Sequence, residues 1–443
     1  MFFNQEIETL PLTRLRKLQN TRLQHVVQYV YDRVPFYRRQ LKGAGLNPFD
    51  ILSIEDLPKL PLTKKSDLRD NYPFGMFAVP ESEVIRIHCS SGTTGKPTVV
   101  GYTRNDIEIF AEVNARSLAA AGAKPGMRLH NSYGYGLFTG GLGLHYGGER
   151  LGMSVIPVSG GMTDRQILLL KDFKSEVMCC TPSYALVLGE EILKRGIDPK
   201  TELNLQFMLL GAEPWTETIR EDVQQMLGVK ATNIYGLSEI IGPGVSQEDV
   251  DERGSGSYIW EDHFFPEVVH PDSGEPMPYG EDGVLVFTAL TKEAMPLLRY
   301  QTNDVCSLNY DPEGKRTHIK MSPIRGRADD MLIIRGVNLF PTQVEALLNE
   351  LPEFSSNYQL VISKETALDA VEVSVELDEI FYRKLSIDEV TQHEDVVSVL
   401  RNQLESKIKN NIGLTMKVTI QNYGTVPRSE GGKLSRVKDL RKK

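Results

Sequence analysis

A dense cluster of small and hydroxyl-bearing residues follows the strand-like run VIRIHC at 84–89. Small residues let a ligand approach the backbone closely, and the free amides, hydroxyls and single ammonium are suited to phosphate oxygens. An ordinary polar turn is the alternative interpretation. The cluster comprises Ser90, Ser91, Gly92, Thr93, Thr94, Gly95, Lys96 and Pro97. We therefore interpret it as a candidate phosphate-binding loop.

The residues present exclude two well-known nucleotide-binding loops. A Walker A loop, GxxxxGK[ST], would require glycine at 90 and serine or threonine at 97, where the chain has Ser90 and Pro97. The run 134–139 fails as a dinucleotide fingerprint because its third glycine position holds Thr139. These departures weigh against P-loop kinases, GTPases and Rossmann oxidoreductases.

Two further polar turns follow predicted strands, and loops at such strand ends are where open α/β sheets place ligands. Tyr235 could stack on a base, and Glu239 could hold Mg²⁺ beside a polyphosphate. Taken singly, each is more often a loop residue than a ligand. The turns are Gly211-Ala212-Glu213-Pro214 and Tyr235-Gly236-Leu237-Ser238-Glu239. Their order, together with the glycine-rich loop, makes the pattern specific.

Alternating strand and helix patterns must position these turns. From 84 to 236, short apolar runs alternate with amphipathic stretches, which predicts an α/β fold with mostly parallel sheets. The predicted strands are 84–89, 127–133, 153–159, 176–181, 206–211 and 230–235, and the predicted helices are 104–121, 164–174, 183–195 and 216–227. Residues 12–42 predict an amphipathic helix broken at Pro35. Residues 254–320 predict a small β region.

A second set of elements predicts a smaller α+β domain at the C-terminal end. After the turn-rich run 325–337 the pattern restarts, with a helix that opens at Pro341, a strand at 371–378, a long helix near 388–411 and a strand at 417–421. We place the boundary so that residues 1–328 form the N-terminal body and residues 329–443 the C-terminal domain.

Composition restricts the class of protein. The chain has 443 residues, 4 cysteines and a net charge of −9. This is too little cysteine for a secreted disulfide framework, and no run approaches the roughly 18 apolar residues of a membrane helix. The negative net charge argues against a dedicated nucleic-acid binder. We therefore expect a cytoplasmic protein that binds neither nucleic acid nor membrane. Residues 401–443 carry 11 Lys and Arg against 3 Asp and Glu, a local charge of +8. A solvated tail or a surface that meets anionic ligands would both explain it.

Five motifs in order resemble those of the adenylate-forming acyl-CoA synthetase superfamily. They lie at 90–97, 235–239, 299–304, 326–329 and 427–433. The stretches 72–80, 130–148 and 240–245 are similar to the phenylacetate–coenzyme A ligase family, and the resemblance extends over nearly the whole chain. It implies two half-reactions: a carboxylate and ATP give acyl-adenylate and pyrophosphate, and coenzyme A then gives the thioester and AMP.

The resemblance implies roles in the N-terminal body. The loop from Ser90 to Lys96 would hold the β- and γ-phosphates, and Glu239 would ligate Mg²⁺. Tyr235, Gly236 and Ser238 belong to the same motif, and Tyr235 would flank adenine together with the turn Gly211, Ala212 and Glu213. Asp304 would accept from the ribose hydroxyls, with Arg327 nearby. Asp304 could otherwise be only a turn residue.

The resemblance also implies roles in the C-terminal domain. Lys433 would bridge the carboxylate and the α-phosphate during adenylation. Asp329 matches the hinge about which this domain rotates, and Arg335 and Gly336 match the turn that the rotation brings to the active site for the thiol step. Without the flanking pattern, Lys433 would be a solvated lysine and Asp329 part of a solvated acidic pair.

Aromatic residues among glycines suggest the acyl-binding residues. Tyr133, Tyr135 and Phe138 could form a flat slot for an arylacetic acid, which Ile240, Ile241 and Pro243 would close. Core packing is the alternative. Three other hypotheses stay open: a different small aromatic or aliphatic acid as substrate, an adenylate-binding protein without catalysis, and a partner-binding scaffold. A homodimer is an expectation from the family.

Two departures from the family pattern are notable. The positions that would supply a Cys/His zinc site hold Asp249, Tyr258 and 311–314 (Asp-Pro-Glu-Gly) instead. His318 and Cys306 provide only two possible ligands where structural zinc usually has four, so we expect no structural zinc. Thr98 stands where many wider relatives carry a second lysine, and Asn338 stands where other branches carry an arginine toward the phosphates.

Overall fold

The computed structural model describes residues 1–90, 97–328, 332–334, 337–339, 341–365, 368–384, 394–427 and 436–440. It divides into two compact units, Met1–Ile324 and Arg325–Lys443. The predicted boundary between 328 and 329 adjoins residues outside the described ranges and stays a prediction. None of the helices in the described ranges is both long and apolar enough to cross a membrane.

The helices of the first unit include one for each amphipathic run of the sequence. They are α1 (Gln5–Glu8), α2 (Leu12–Arg33), α3 (Pro35–Gly43), α4 (Lys65–Asp70), α5 (Arg104–Ala120), α6 (Gly140–Leu151), α7 (Thr163–Phe173), α8 (Pro182–Lys194), α9 (Pro199–Glu202) and α10 (Glu217–Leu227). Of these, α1, α4, α6 and α9 are in addition to the amphipathic runs. Short 3₁₀ helices span Pro48–Asp50, Ile54–Lys59 and Glu81–Glu83. The break at Pro35 is confirmed, because proline has no backbone N–H to continue α2 and instead opens α3.

The strands of the first unit form one large sheet and two small ones. They are β1 (Arg86–Ser90), β2 (Thr98–Tyr102), β3 (Arg128–Asn131), β4 (Ser154–Ile156), β5 (Val177–Cys180), β6 (Phe207–Gly211), β7 (Lys230–Leu237), β8 (Gly242–Glu248), β9 (Ser257–Ile259), β10 (Phe264–Val269), β11 (Gly283–Ala289), β12 (Tyr300–Cys306), β13 (Leu308–Asn309) and β14 (Lys320–Met321). The nine-stranded sheet has the order β13-β14-β9-β8-β7-β6-β5-β3-β4.

The large sheet is parallel on one side and antiparallel on the other. Strands β4, β3, β5, β6 and β7 run parallel, with α helices between them, as the alternating pattern predicts. Strands β8, β9, β14 and β13 continue it antiparallel. Cys179 and Cys180 of β5 pack into two different core clusters, because adjacent residues of a strand point to opposite faces.

Two elements differ from the simple pattern. Among the strands of the described ranges, β1 pairs with β2 alone, in an antiparallel hairpin outside the large sheet. Helix α6 forms in a glycine-rich stretch that no amphipathic pattern marks. A Cβ at Gly147 would lie 2.4 Å from Asn114 Cβ, and one at Gly143 would lie 2.6 Å from the Phe110 ring. The glycines therefore let α6 approach α5 more closely than larger residues would allow.

The second unit is an α+β domain with its own core. Its elements are β15 (Gly326–Arg327), β16 (Leu332–Ile334), β17 (Val337–Leu339), α11 (Pro341–Asn349), β18 (Phe354–Glu365), β19 (Leu368–Leu377), α12 (Glu379–Lys384), α13 (Glu394–Ile412), β20 (Lys417–Gln421) and β21 (Val437–Asp439). Its main sheet has the order β20-β19-β18-β21, and α11 and α13 contribute buried leucines, valines and isoleucines to the core beside it.

Candidate active site

The β1–β2 hairpin frames the candidate phosphate-binding loop. Ser90, the last residue of β1, pairs with Thr98, the first residue of β2. The residues that connect them include the predicted phosphate ligands Ser91, Gly92, Thr93, Thr94, Gly95 and Lys96, which lie outside the described residues. Both ends of this connection are thus fixed by an antiparallel pairing, and Pro97, half-buried, precedes β2.

Tyr235 and Asp304, predicted to contact adenine and ribose, are direct neighbours. The Tyr235 hydroxyl donates to Asp304 Oδ2 at 2.6 Å. Burial raises the pKa of Tyr235 well above its usual value, and the Asp304 carboxylate raises it further, so the phenol stays a donor. The Asp304 amide donates to Thr302 Oγ1 at 3.0 Å. Asp304 is therefore held at two points: Tyr235 contacts its carboxylate, and Thr302 contacts its backbone amide.

Glu239, the predicted Mg²⁺ ligand, lies at the start of the turn that joins β7 to β8. Its side chain is buried and lies 3.7 Å from Lys65 Nζ, measured from Glu239 Oε1. The Lys292 ammonium donates to the Glu239 carbonyl at 3.5 Å. Lys65 thus lies beside the Glu239 carboxylate, and Lys292 contacts the Glu239 backbone carbonyl. Neither lysine was predicted from the sequence.

Lys292 is a buried charge with an unusual environment. It is 3% exposed, and burial lowers its pKa to about 8 against the opposing effect of Asp106 and Glu239. Its ammonium lies 4.6 Å from the centre of the Tyr102 ring. Asp106 also accepts from the Glu293 amide at 2.7 Å. The loop after β11 is therefore fixed between the start of α5 and the turn that carries Glu239.

The close packing of the motif turn explains its glycine. A Cβ at Gly236 would lie 1.9 Å from the Gly242 carbonyl oxygen, so only glycine fits where β7 and β8 pair. Ser238 of the same motif is half-buried, and its hydroxyl lies 3.2 Å from Thr139 Oγ1. The turn is thereby tied to the residue that precedes α6.

The turn after β6, predicted to flank adenine, is equally constrained. A Cβ at Gly211 would lie 2.2 Å from the Ile234 carbonyl oxygen on β7. Ala212 has a φ of 72°, a left-handed conformation that costs a residue with a Cβ free energy. Glu213 Oε1 accepts from the Ser183 amide at 2.7 Å, at the start of α8. This turn and Tyr235 lie at the same end of two adjacent parallel strands.

The predicted acyl-binding aromatics lie between β3 and α6. The Tyr133 hydroxyl donates to the Cys180 carbonyl at 2.6 Å. The Tyr135 hydroxyl accepts from Asn131 Nδ2 at 2.9 Å, and Asn131 also donates to the Gly141 carbonyl at 2.8 Å. Sequence reasoning missed Asn131, which fixes the tyrosine-bearing loop against α6.

The other predicted acyl residues differ in exposure. Phe138 is 54% exposed, Pro243 is half-buried, and Ile240 and Ile241 are fully buried in the main core. The Tyr102 hydroxyl donates to the Ile241 carbonyl at 2.9 Å. The buried isoleucines carry the core-packing role that the sequence left as the alternative, and their place in an acyl slot stays a prediction.

The candidates of the second unit fall mostly outside the described residues. Asp329, Arg335, Gly336 and Lys433 lie there. Arg327 is half-buried on β15. Lys433 belongs to the stretch 428–435, and the described residues that adjoin this stretch are 427 and 436.

Charged pairs and a tyrosine hydrogen bond occupy the positions that the family resemblance links to a zinc site. Asp249 pairs with Arg316 and Lys315, and Asp311 pairs with Lys320 at 2.8 Å. The Tyr258 hydroxyl donates to Glu252 at 2.6 Å. His318 Nδ1 accepts from the Glu261 amide at 2.9 Å, and Cys306 is fully buried in the main core. Within the described ranges no group of three or more His, Cys, Asp or Glu side chains is placed to hold a metal ion.

Comparison with known proteins identifies relatives over the full length. The family model described as AMP-binding enzyme matches residues 5–289, and that of the AMP-binding enzyme C-terminal domain matches 336–441. The phenylacetate-coenzyme A ligase of Thermus thermophilus is 62% identical over 100% of both chains. That of Escherichia coli is 49% identical over 98% of this chain and 97% of its own. A 2-hydroxyisobutyryl-CoA ligase solved with R3-HIB-AMP is 28% identical, with a TM-score of 0.88, over 98% of this chain and 91% of its own.

Proposed function

Because the chain belongs to the phenylacetate-coenzyme A ligase family of AMP-binding enzymes, we propose that it is an AMP-forming acid–CoA ligase whose acid is phenylacetate or a similar arylacetate. The carboxylate oxygen attacks the α-phosphorus of ATP, and the bond to the β-phosphate breaks to release pyrophosphate. The thiol of coenzyme A then attacks the acyl carbon, loses its proton and releases AMP as the leaving group.

The contact between Tyr235 and Asp304 carries this proposal. A carboxylate held at 2.6 Å by the hydroxyl of a half-buried tyrosine is pre-oriented to accept from two vicinal ribose hydroxyls. The turn at Gly211 to Glu213 lies at the end of the adjacent strand, where a planar base would stack beside Tyr235. Together these residues would fix the adenosine end of ATP, and the α-phosphate would face the acyl-binding aromatics.

The residues around Glu239 suit the polyphosphate end. Carboxylate oxygen is the ligand that Mg²⁺ prefers, and Glu239 has its carboxylate only loosely paired, 3.7 Å from Lys65. Bound Mg²⁺ would neutralise charge on the phosphate oxygens. Lys65 would provide a second ammonium for the phosphates beside Lys96, where Thr98 takes the position of a second loop lysine. Lys292 would keep the turn carrying Glu239 in place through its carbonyl.

The acid would bind where Tyr133 and Tyr135 lie. Both hydroxyls have protein partners, so the ring faces rather than the hydroxyls would contact the substrate. Such contacts favour a flat aromatic group over a small aliphatic acid. Phe138, 54% exposed, would cover the bound ring.

Lys433 would serve the first half-reaction and the turn at Arg335 and Gly336 the second. In this proposal residues 329–443 rotate about Asp329 to exchange the two sites. A positive charge between the acid and the α-phosphate stabilises the charge that develops during adenylation, but it has no such function when the thiol attacks.

A cytoplasmic location and a homodimer stay predictions.

Pyrophosphate release over a panel of carboxylic acids, with and without coenzyme A, tests the function. We expect release without coenzyme A to be fastest with arylacetates, and thioester to appear only when coenzyme A is added. A chain that releases no pyrophosphate with any acid would refute the enzymatic proposal, and a preference for short aliphatic acids would refute the substrate class.

The role of Lys433 has a separate test. Lys433→Ala should abolish adenylate formation, while thioester formation from supplied acyl-adenylate and coenzyme A continues. Lys438→Ala, five residues further along in the same basic end, is the matched control and should change neither half-reaction. Full adenylation by Lys433→Ala would remove this residue from the mechanism.

A further inference from the structure

A fully buried carboxylate in the second unit has no role in the function proposed above. Glu376 lies on β19 and is 0% exposed. A buried carboxylate is costly unless hydrogen bonds compensate for the lost hydration. Glu376 Oε1 accepts from the Val426 amide at 2.5 Å, across 50 residues of sequence. The carboxylate therefore fixes a main-chain position that lies beyond the end of β20.

The segment that Glu376 holds leads directly to the predicted catalytic lysine. Val426 is 1% exposed, and the turn before it is closed by the Thr425 hydroxyl, which donates to the Asn422 carbonyl at 2.7 Å. The Tyr423 hydroxyl donates to Glu379 at 2.9 Å. Lys433 follows Val426 by seven positions. The Glu376 contact is thus the last described side-chain contact before that lysine.

The chain is fixed again on the other side of Lys433. The Leu360 amide donates to the Arg436 carbonyl at 2.8 Å, where β21 joins β18. The Arg436 guanidinium lies 4.5 Å from the centre of the Tyr358 ring and 3.5 Å from Glu345. Since β18 and β19 are paired strands, both flanks of the Lys433 segment are anchored on one hairpin.

From this geometry we propose that Glu376 is a positioning residue for Lys433, an inference that rests on the proposed function. The hairpin of β18 and β19 forms the fixed base, and Glu376 holds the entry of the segment on it. A reacting group displaced by about 1 Å can lose a hundredfold in rate. Weakening the Glu376 contact should therefore slow the step that uses Lys433 and leave the other step unchanged.

Glu372 provides a matched control on the same strand. It accepts from the Thr419 hydroxyl and lies 3.6 Å from Lys417, both on β20. Glu372→Gln changes the same chemical group four positions away without altering the contact to Val426. Glu376→Gln keeps an acceptor but removes the charge that strengthens the bond, and it adds amide donors to a buried site.

The full-length variants are compared in the two half-reactions separately. Adenylation is followed as pyrophosphate release without coenzyme A, and thioester formation is followed from supplied acyl-adenylate. For Glu376→Gln we expect a loss of about 10- to 100-fold in the adenylation kcat. We expect the KM for ATP and the rate of thioester formation to stay within about twofold, and Glu372→Gln to change neither step.

Three outcomes would overturn the inference. They are an equal loss in both half-reactions, an unchanged adenylation rate, and a selective loss in Glu372→Gln as well. If Glu376→Gln does not fold, Glu376→Asp, which keeps the charge and shortens the side chain, is judged by the same ratio of the two rates. A wild-type chain that releases no pyrophosphate would instead refute the proposed function.

Discussion

Asp304→Asn is the most informative single substitution at the nucleotide site. The wild-type carboxylate is held by the Tyr235 hydroxyl at 2.6 Å and by the backbone contact to Thr302. Asparagine keeps the shape and one acceptor oxygen, so Tyr235 can still donate to it. What is lost is the charge, and with it the stronger hydrogen bonds that a carboxylate accepts from ribose hydroxyls.

The structure allows the size of the loss to be worked out. A hydrogen bond to a charged group contributes about 1.5–3 kcal/mol. Because Asp304 is already oriented before ATP binds, little of that energy is used to order it. We therefore expect kcat/KM for ATP in pyrophosphate release to fall by about 10- to 150-fold, at roughly 1.4 kcal/mol for each factor of ten.

A double cycle with 2′,3′-dideoxy-ATP isolates the contact. Removing both ribose hydroxyls should cost the wild-type enzyme about as much as the substitution does, while Asp304→Asn should lose little more with the dideoxy nucleotide. Asp311→Asn, which alters a carboxylate paired with Lys320 instead, is the control and should behave as wild type. Independent, additive losses from substitution and nucleotide would refute a contact between Asp304 and the ribose.

Three further predictions concern the same unit. Glu239→Gln should raise the Mg²⁺ concentration for half-maximal pyrophosphate release by about tenfold or more, and an unchanged magnesium titration would contradict that role. Gly236→Ala places a Cβ 1.9 Å from the Gly242 carbonyl oxygen and should destabilise the fold by about 1–3 kcal/mol in urea unfolding, whereas Gly134→Ala, with open space around its Cβ, should not. Burial lowers the pKa of His130 below its usual value, so the unfolded chain binds the proton first and stability should fall as pH drops below about 6.5. His130→Gln should reduce this acid dependence in melting temperatures, and an identical pH profile would exclude His130 as its source.

Much of the fold follows from local patterns in the sequence. The alternating strands and helices between 84 and 236, the break at Pro35 and the restart at Pro341 are all present in the structure. These features depend on periodicity and on residues that start or stop helices, which act over a few positions. Helix α6 had no such signal, since its close packing against α5 rather than amphipathic spacing explains its glycines.

Sequence motifs account for part of the candidate site. Tyr235, Glu239 and Asp304 follow from the family resemblance, whereas Lys65 and Lys292 belong to no recognised motif. Asn131 lies in the family-like stretch 130–148, but no role was predicted for it. The sequence places Lys292 shortly after the apolar strand run 283–289, but lysine is rarely fully buried and then only with a partner, so position alone predicts no burial. Its partners, however, lie in segments far away in sequence.

The sequence alone determined the class of fold, the order of the elements and which turns carry polar residues, because each depends on neighbouring positions. Only the tertiary structure decided that Tyr235 donates to Asp304, that two lysines flank Glu239, and that β1 pairs with β2 outside the large sheet. The order of strands determines these contacts. Glu239, for example, meets Lys292, 53 positions away in sequence, and Lys65, 174 positions away. Local periodicity is the same whichever strands become neighbours, and so it contains no information about which distant side chains will meet.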